Sequence, residues 1–119
     1  MKVLVLVKAS LDSEAGVMPS EALLGAMGKF NEDLVKAGVL LAAEGLRPSA
    51  HGKRVRFSGD KRTVIDGPFA ETKEQLAGYY ILDCENLDEA IAWAAKIPTA
   101  CKGEEGCIEI RPIASIPPR

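Results

Sequence analysis

Asp66 is followed by Gly67 and Pro68, a combination that holds a carboxylate on a stiff turn. Proline fixes its own φ and disfavours helix at the residue before it, so Gly67 is expected to be extended or to take a positive φ. An aspartate on such a turn has two uses. It accepts hydrogen bonds from the turn's own backbone, or it is held at a cleft as a general base. His51 is the only imidazole it could orient. Asp66 and His51 are therefore the catalytic candidates. Glu71 and Lys73 follow in the same segment. They read either as a solvated charged turn or as contacts to a polar ligand. Tyr79 either donates a phenolic proton or packs, and strand alternation turns Tyr80 to the opposite face. Glu109 and Arg111 lie two apart on one strand face. They form an ion pair there, or the arginine binds a carboxylate ligand. Glu44 interrupts an apolar run and needs a partner if buried; Arg111 and Lys73 are the candidates. Gathered in one place, these groups would make a small polar pocket within an apolar surround.

Other chemistries lack the residues they need. There is no G-x-G-x-x-G, no P-loop and no haem signature, so any reaction is expected to be cofactor-independent. The cysteines are Cys84, Cys101 and Cys107, with no C-x-x-C and a single histidine. Zinc sites use paired ligands at short spacing, so no metal site is expected. Reduced thiols are the expectation, with a Cys101–Cys107 disulfide an option only under oxidation. The net charge of −2 gives no electrostatic footprint for nucleic acid. The basic run Lys53-Arg54-Val55-Arg56, with Lys61-Arg62 behind it, reads as a solvated hairpin. The first apolar run, Val3 to Val7, is shorter than the ~7–15 residues of a signal-peptide core and the ~20 of a membrane span. It reads as a strand, and the protein as cytoplasmic, with no membrane contact.

The elements that must position these residues follow from periodicity. A chain of 119 residues is one domain. Residues 2–8 form an aliphatic strand covered on both faces. Residues 9–19 read as a loop long enough to be a lid or ligand loop. Pro19-Ser20 opens a helix whose stripe is Leu23, Met27, Phe30 and Leu34, widened by Leu24 and Val35, with Gly38 just past its end. Val39 to Leu46 is a second strand, followed by a turn at 47–49. Residues 53–58 and 62–66 form a hairpin around Ser58-Gly59-Asp60-Lys61. Gly78 to Cys84 is a further strand. Asn86 caps a second helix, with Glu89 three residues on. Leu87, Ala90, Ile91 and Ala94 are its buried face, Trp93 and Ile97 lie at the edge, and Pro98 ends it. Cys107 to Ile113 is the last strand. The order β-α-β-(β-hairpin)-β-α-β is the ferredoxin-like α+β pattern with an inserted hairpin. Two helices cover one face of such a sheet. The other is expected to be hidden in a homodimer whose sheets enclose a barrel.

The stretch Asp66-Gly67-Pro68-Phe69-Ala70-Glu71-Thr72-Lys73-Glu74, followed by Gly78-Tyr79-Tyr80-Ile81-Leu82, resembles the DGPF branch of the YCII-related family. Ala43 to Ser49, Asp88 to Ala94 and Ile108 to Ile113 agree with it in order and spacing. The resemblance implies a dimeric α+β barrel with a cleft near the dimer interface. It also implies that some relatives are encoded beside, or fused to, extracytoplasmic-function sigma factors. YCII-type relatives have been proposed to use a His-Asp pair with the histidine on the first helix. Residues 20–38 contain no histidine, so that pair does not carry over. Two functions are thus expected to compete. One is a cofactor-independent enzyme or binder of a small polar or carboxylate ligand. The other is a non-catalytic interaction module linked to transcription regulation.

Overall fold

The structure is a computed structural model, and it describes residues 1–71, 74–98 and 107–114. Lys73 and Cys101 therefore lie outside the described residues.

Strand β1 (Lys2–Lys8) runs through the middle of an antiparallel sheet. Its β-branched residues suit a pleated surface with neighbours on both sides. The neighbours are β5 (Leu76–Asp83) and β6 (Ile108–Pro112), and β2 (Leu40–Gly45) pairs on the far side of β5. The sheet order is β2-β5-β1-β6. Strands β3 (Lys53–Ser58) and β4 (Lys61–Asp66) form a separate two-stranded ribbon. Gly59, at φ 58°, makes its turn possible, because side chains other than glycine are strained there.

One face of the four-stranded sheet is the core. Val3, Val5, Tyr80 and Leu82 are buried on it, and Ile108 and Ile110 pack alongside. Helix α2 (Glu21–Lys36) lays Phe30 and Leu34 on this face. Ser20 caps it by accepting from the Leu23 N–H at 3.1 Å, and Gly38, at φ 73°, lets the chain turn away. Phe30 meets Tyr80 edge-on at 5.8 Å between ring centres and Trp93 at 6.2 Å. Helix α3 (Leu87–Ala94) starts at Asn86, whose Oδ1 accepts from the Glu89 N–H at 2.9 Å.

Four details differ from the sequence expectation. The segment at 9–19 contains a short helix, α1 (Leu11–Glu14). Ser10 and Ser13 cap each other reciprocally, at 3.1 Å and 2.8 Å, which satisfies two donors that a loop would leave to water. The stripe of α2 is narrower than expected, with Leu24 and Val35 exposed. The buried face of α3 is Ala90 and Ala94 with Trp93 partly covered, while Leu87 and Ile91 are exposed. Small alanines bring α3 close to the sheet, and the bulkier residues on its flanks stay in solvent. The helix also stops at Ala94, before Pro98 is reached.

The other face of the sheet carries Leu4, Leu6, Tyr79 and Ile81, each half-buried. Two rows cross it. Glu44 faces Tyr79, which faces Leu6, which faces Glu109; Ala42, Ile81, Leu4 and Arg111 form the next row. No element of this chain covers it among the described residues. Among the described residues no helix is long and apolar enough to cross a membrane.

Candidate functional site

Two adjoining cavities occupy the end of the sheet where α1, β2 and the turn after β2 meet. The larger, about 530 Å³, lies between the core face of the sheet, α2 and the segment after α1. Val7, Ala43 and Tyr80 form its floor, Met27 and Asn31 one wall, and Val17 to Pro19 its roof. Two glycines give it its form. Gly16, at φ 79°, turns the chain out of α1 and into the roof. A Cβ on Gly78 would sit 2.8 Å from the Glu44 carbonyl oxygen, so β5 approaches β2 this closely only with glycine there.

Polar groups in this cavity are few. Asn31 borders the cavity, but its Oδ1 is closed off from it and accepts no hydrogen bond from the described residues. Leaving such an acceptor dry costs about 1–3 kcal/mol. Burial pushes the Tyr80 phenol above its ordinary value, so it stays a neutral hydroxyl. Arg47 borders the cavity at its exposed side. Among the described residues its guanidinium has no hydrogen bond or ion pair.

The smaller cavity, about 470 Å³, shares Leu46, Arg47 and Pro48 with the first and continues to His51 and Phe69. Ser49 braces it. Its N–H donates to Glu14 Oε1 at 2.9 Å, its hydroxyl donates to Glu14 Oε2, and Ser49 Oγ accepts from the Phe69 N–H at 3.1 Å. One serine thus ties the end of α1 to the segment after β4. Arg54 stacks on Phe69, 3.8 Å from the ring centre. Gly67 does not have a positive φ. Its requirement is closeness: a Cβ there would lie 1.8 Å from the Ser49 carbonyl oxygen.

The candidate residues distribute as follows. Asp66 pairs with Lys53 at 2.6 Å on the exposed ribbon, its side chain 75% exposed. His51 lines the smaller cavity and is exposed. No hydrogen bond or ion pair joins the two. Glu71 is exposed, and its carbonyl accepts from the Glu74 N–H at 2.9 Å. Glu44 and Tyr79 are cross-strand partners and both border the larger cavity. Strand alternation turns their side chains to the open face of the sheet. Arg111 pairs with Glu109 at 3.3 Å, and Lys8 approaches the same carboxylate at 3.6 Å. Glu44 and Arg111 stand on opposite edge strands and do not meet within the chain. Phe69 is half-buried. Cys84 is a free, buried thiol, whereas Cys107 is disulfide-bonded, which corrects the expectation of reduced thiols at that position. Among the described residues no three His, Cys, Asp or Glu side chains could hold a metal ion.

Asn31, Arg47, Glu14 and Ser49 were not singled out from the sequence for this site. Asn31 had a signal: it is a polar residue one turn from Met27, inside an otherwise apolar stripe. The other three lie in segments without periodicity, and only the fold brings them together.

Comparison with known proteins places the chain in a defined group. The model of the YCII-related domain matches residues 1–117. An uncharacterised protein of Rhizobium meliloti (strain 1021) is 38% identical over 98 residues, covering 82% of this chain and 78% of that protein.

Proposed function

This chain belongs to the YCII-related family, and we propose that it is a homodimeric, cofactor-independent small-molecule-binding protein whose ligand occupies the 530 Å³ cavity. The observation that carries this reading is the cavity itself, of ligand size and walled mostly by apolar side chains from β1, β2, β5, α2 and the segment after α1. A thermal-shift screen of a metabolite library on the wild type and on Met27→Trp tests it. The tryptophan fills the cavity from α2. Ligands of the site stabilise the wild type alone; hits that stabilise both proteins equally refute the reading.

The strand order β6-β1-β5-β2 supports a ferredoxin-like topology, and segment 66–74 supports the DGPF branch. The uncovered rows of Leu4, Leu6 and Ile81 support a second copy packed sheet to sheet, closing a barrel. Sedimentation equilibrium at micromolar concentration is expected to give twice 12.7 kDa, and Leu6→Lys to halve it. A wild-type mass near 12.7 kDa rejects the dimer. In a catalytic form of this reading Asp66 and His51 supply the acid–base groups, and Asp66 must first leave Lys53.

A second reading, an interaction module that works with an extracytoplasmic-function sigma factor, draws on the β3–β4 ribbon. Val55, Phe57 and Val64 are 55%, 70% and 60% exposed there, with Arg62 stacked on Phe57. A two-stranded ribbon is marginal alone, and an apolar face on it suits a partner. Co-sedimentation with a purified sigma factor of that class, lost in Phe57→Ser, would establish it.

A further inference from the structure

We infer that the β3–β4 ribbon is an arm that packs on a second copy of this chain, with its apolar face against the other copy's α1 segment. This rests on the chain pairing with itself and adds a second contact, one that reaches the cavity.

The ribbon has a face with nothing on it. Register places Val55 opposite Val64 and Phe57 opposite Arg62, so these four side chains lie on the same side. All four are exposed, and among the described residues the ribbon pairs with no other strand. An isolated hairpin is marginal in water and gains stability when such a face is covered. The chain is also extended for its size. Its radius of gyration is 16.3 Å, against about 13 Å for a compact domain of roughly 100 residues.

A second exposed apolar patch lies on the segment around α1. Leu11, Val17 and Met18 are 79%, 57% and 77% exposed. The two patches carry opposite charge. Residues 53–66 hold five cations against Asp60 and Asp66, a net +3. Residues 9–24 hold Asp12, Glu14 and Glu21 and no cation, a net −3. Glu14 is engaged by Ser49. Asp12 and Glu21 are exposed and have no ion pair among the described residues. On the ribbon, Arg62 lies 4.2 Å from the centre of the Phe57 ring, so a cation is already fixed on the apolar face.

A second copy satisfies both patches at once. Under two-fold symmetry, a ribbon that meets an α1 segment implies the same contact in return. Charge favours this occupant: the partner must be acidic where it meets the ribbon and basic where it meets the α1 segment, and this chain is both. Val17 and Met18 also line the larger cavity, so each ribbon closes the other copy's ligand site.

The test is a reciprocal charge reversal read by sedimentation velocity at low salt. One variant carries Lys61→Glu and Arg62→Glu, the other Asp12→Lys and Glu21→Lys. All four side chains are exposed, so folding is not at stake. Each variant alone sets like charges together in both contacts, and its dimer dissociation constant is expected to rise at least tenfold. Mixed in equal amounts, the two should form a heterodimer at wild-type affinity, since every contact then joins opposite charges. Variants that self-associate like the wild type, or a mixture no tighter than its components, overturn the inference. If they do so while Leu6→Lys is monomeric, the sheet-to-sheet dimer stands without the arm. A monomeric wild type overturns both. A ribbon variant that dimerises normally yet loses a purified sigma factor overturns the inference and assigns the ribbon to that partner.

Discussion

Gly67→Ala should destabilise the protein by about 3 kcal/mol although it adds a single methyl group. The added Cβ would lie 1.8 Å from the Ser49 carbonyl oxygen, 2.7 Å from its carbon and 3.3 Å from the Ala50 nitrogen. Backbone atoms cannot swing aside as a side-chain tip does, so the two segments must separate. Separation loosens three hydrogen bonds. These are Gly67 N–H to the Gly52 carbonyl at 3.0 Å, Gly52 N–H to the Ser49 carbonyl at 2.8 Å, and Phe69 N–H to Ser49 Oγ at 3.1 Å. At a net ~0.5–1.5 kcal/mol each, their loss comes to about 3 kcal/mol. An unfolding entropy of ~2.1 cal/mol/K per residue converts that to a fall of roughly 12 °C in Tm for this chain. Calorimetry on wild type and variant measures it. Gly45→Ala is the control, because a Cβ there meets nothing within 4 Å. A Gly67→Ala protein melting within about 2 °C of wild type would refute the steric argument.

Asp66→Asn should cost no more than ~1 kcal/mol, since its pair with Lys53 is an exposed one; urea melts check this, and a larger loss would reveal a partner other than Lys53. Cys84, 3% exposed, should resist iodoacetamide in the native protein and react on unfolding, as peptide mapping would show. Burial raises both Cys84 and Tyr80, and the carboxylates of Glu89 and Asp83 raise Cys84 further against the opposing N-terminal amine. In each case the folded state holds its proton longer than the unfolded chain. Their contribution to stability is therefore complete below the ordinary thiol value of 9.0 and is lost as pH rises through the folded values. Urea melts at pH 7, 9 and 10.5 should show that decline, and Cys84→Ala should remove its earlier part.

Local patterns made much of the fold legible. The alternation of Ile108 and Ile110 with Glu109 and Arg111 gives β6 its two faces, and Ser20, Gly38 and Asn86 mark helix ends with the hydrogen bonds their side chains or φ values allow. Ser58 to Lys61 specify a tight hairpin. Each of these depends on residues within a few positions of one another. Exposure on the helices was less legible. Leu24, Val35, Leu87 and Ile91 have apolar side chains at helical spacing, yet how wide a face is covered depends on what packs opposite, and alanines at 90 and 94 decide that for α3.

The segment from Asp66 shows the division most plainly. Its chemistry and its family are written in consecutive residues, and so is the need for a small residue at 67. What that need consists of, a 1.8 Å approach to a carbonyl eighteen positions earlier in the chain, belongs to the tertiary structure. So does the pairing of Asp66 with Lys53 and the meeting of Asn31, Arg47 and Tyr80 around one cavity. The physical reason is range: turn chemistry, caps and alternation act between near neighbours, whereas a cavity is what remains when distant segments have packed as closely as their side chains permit.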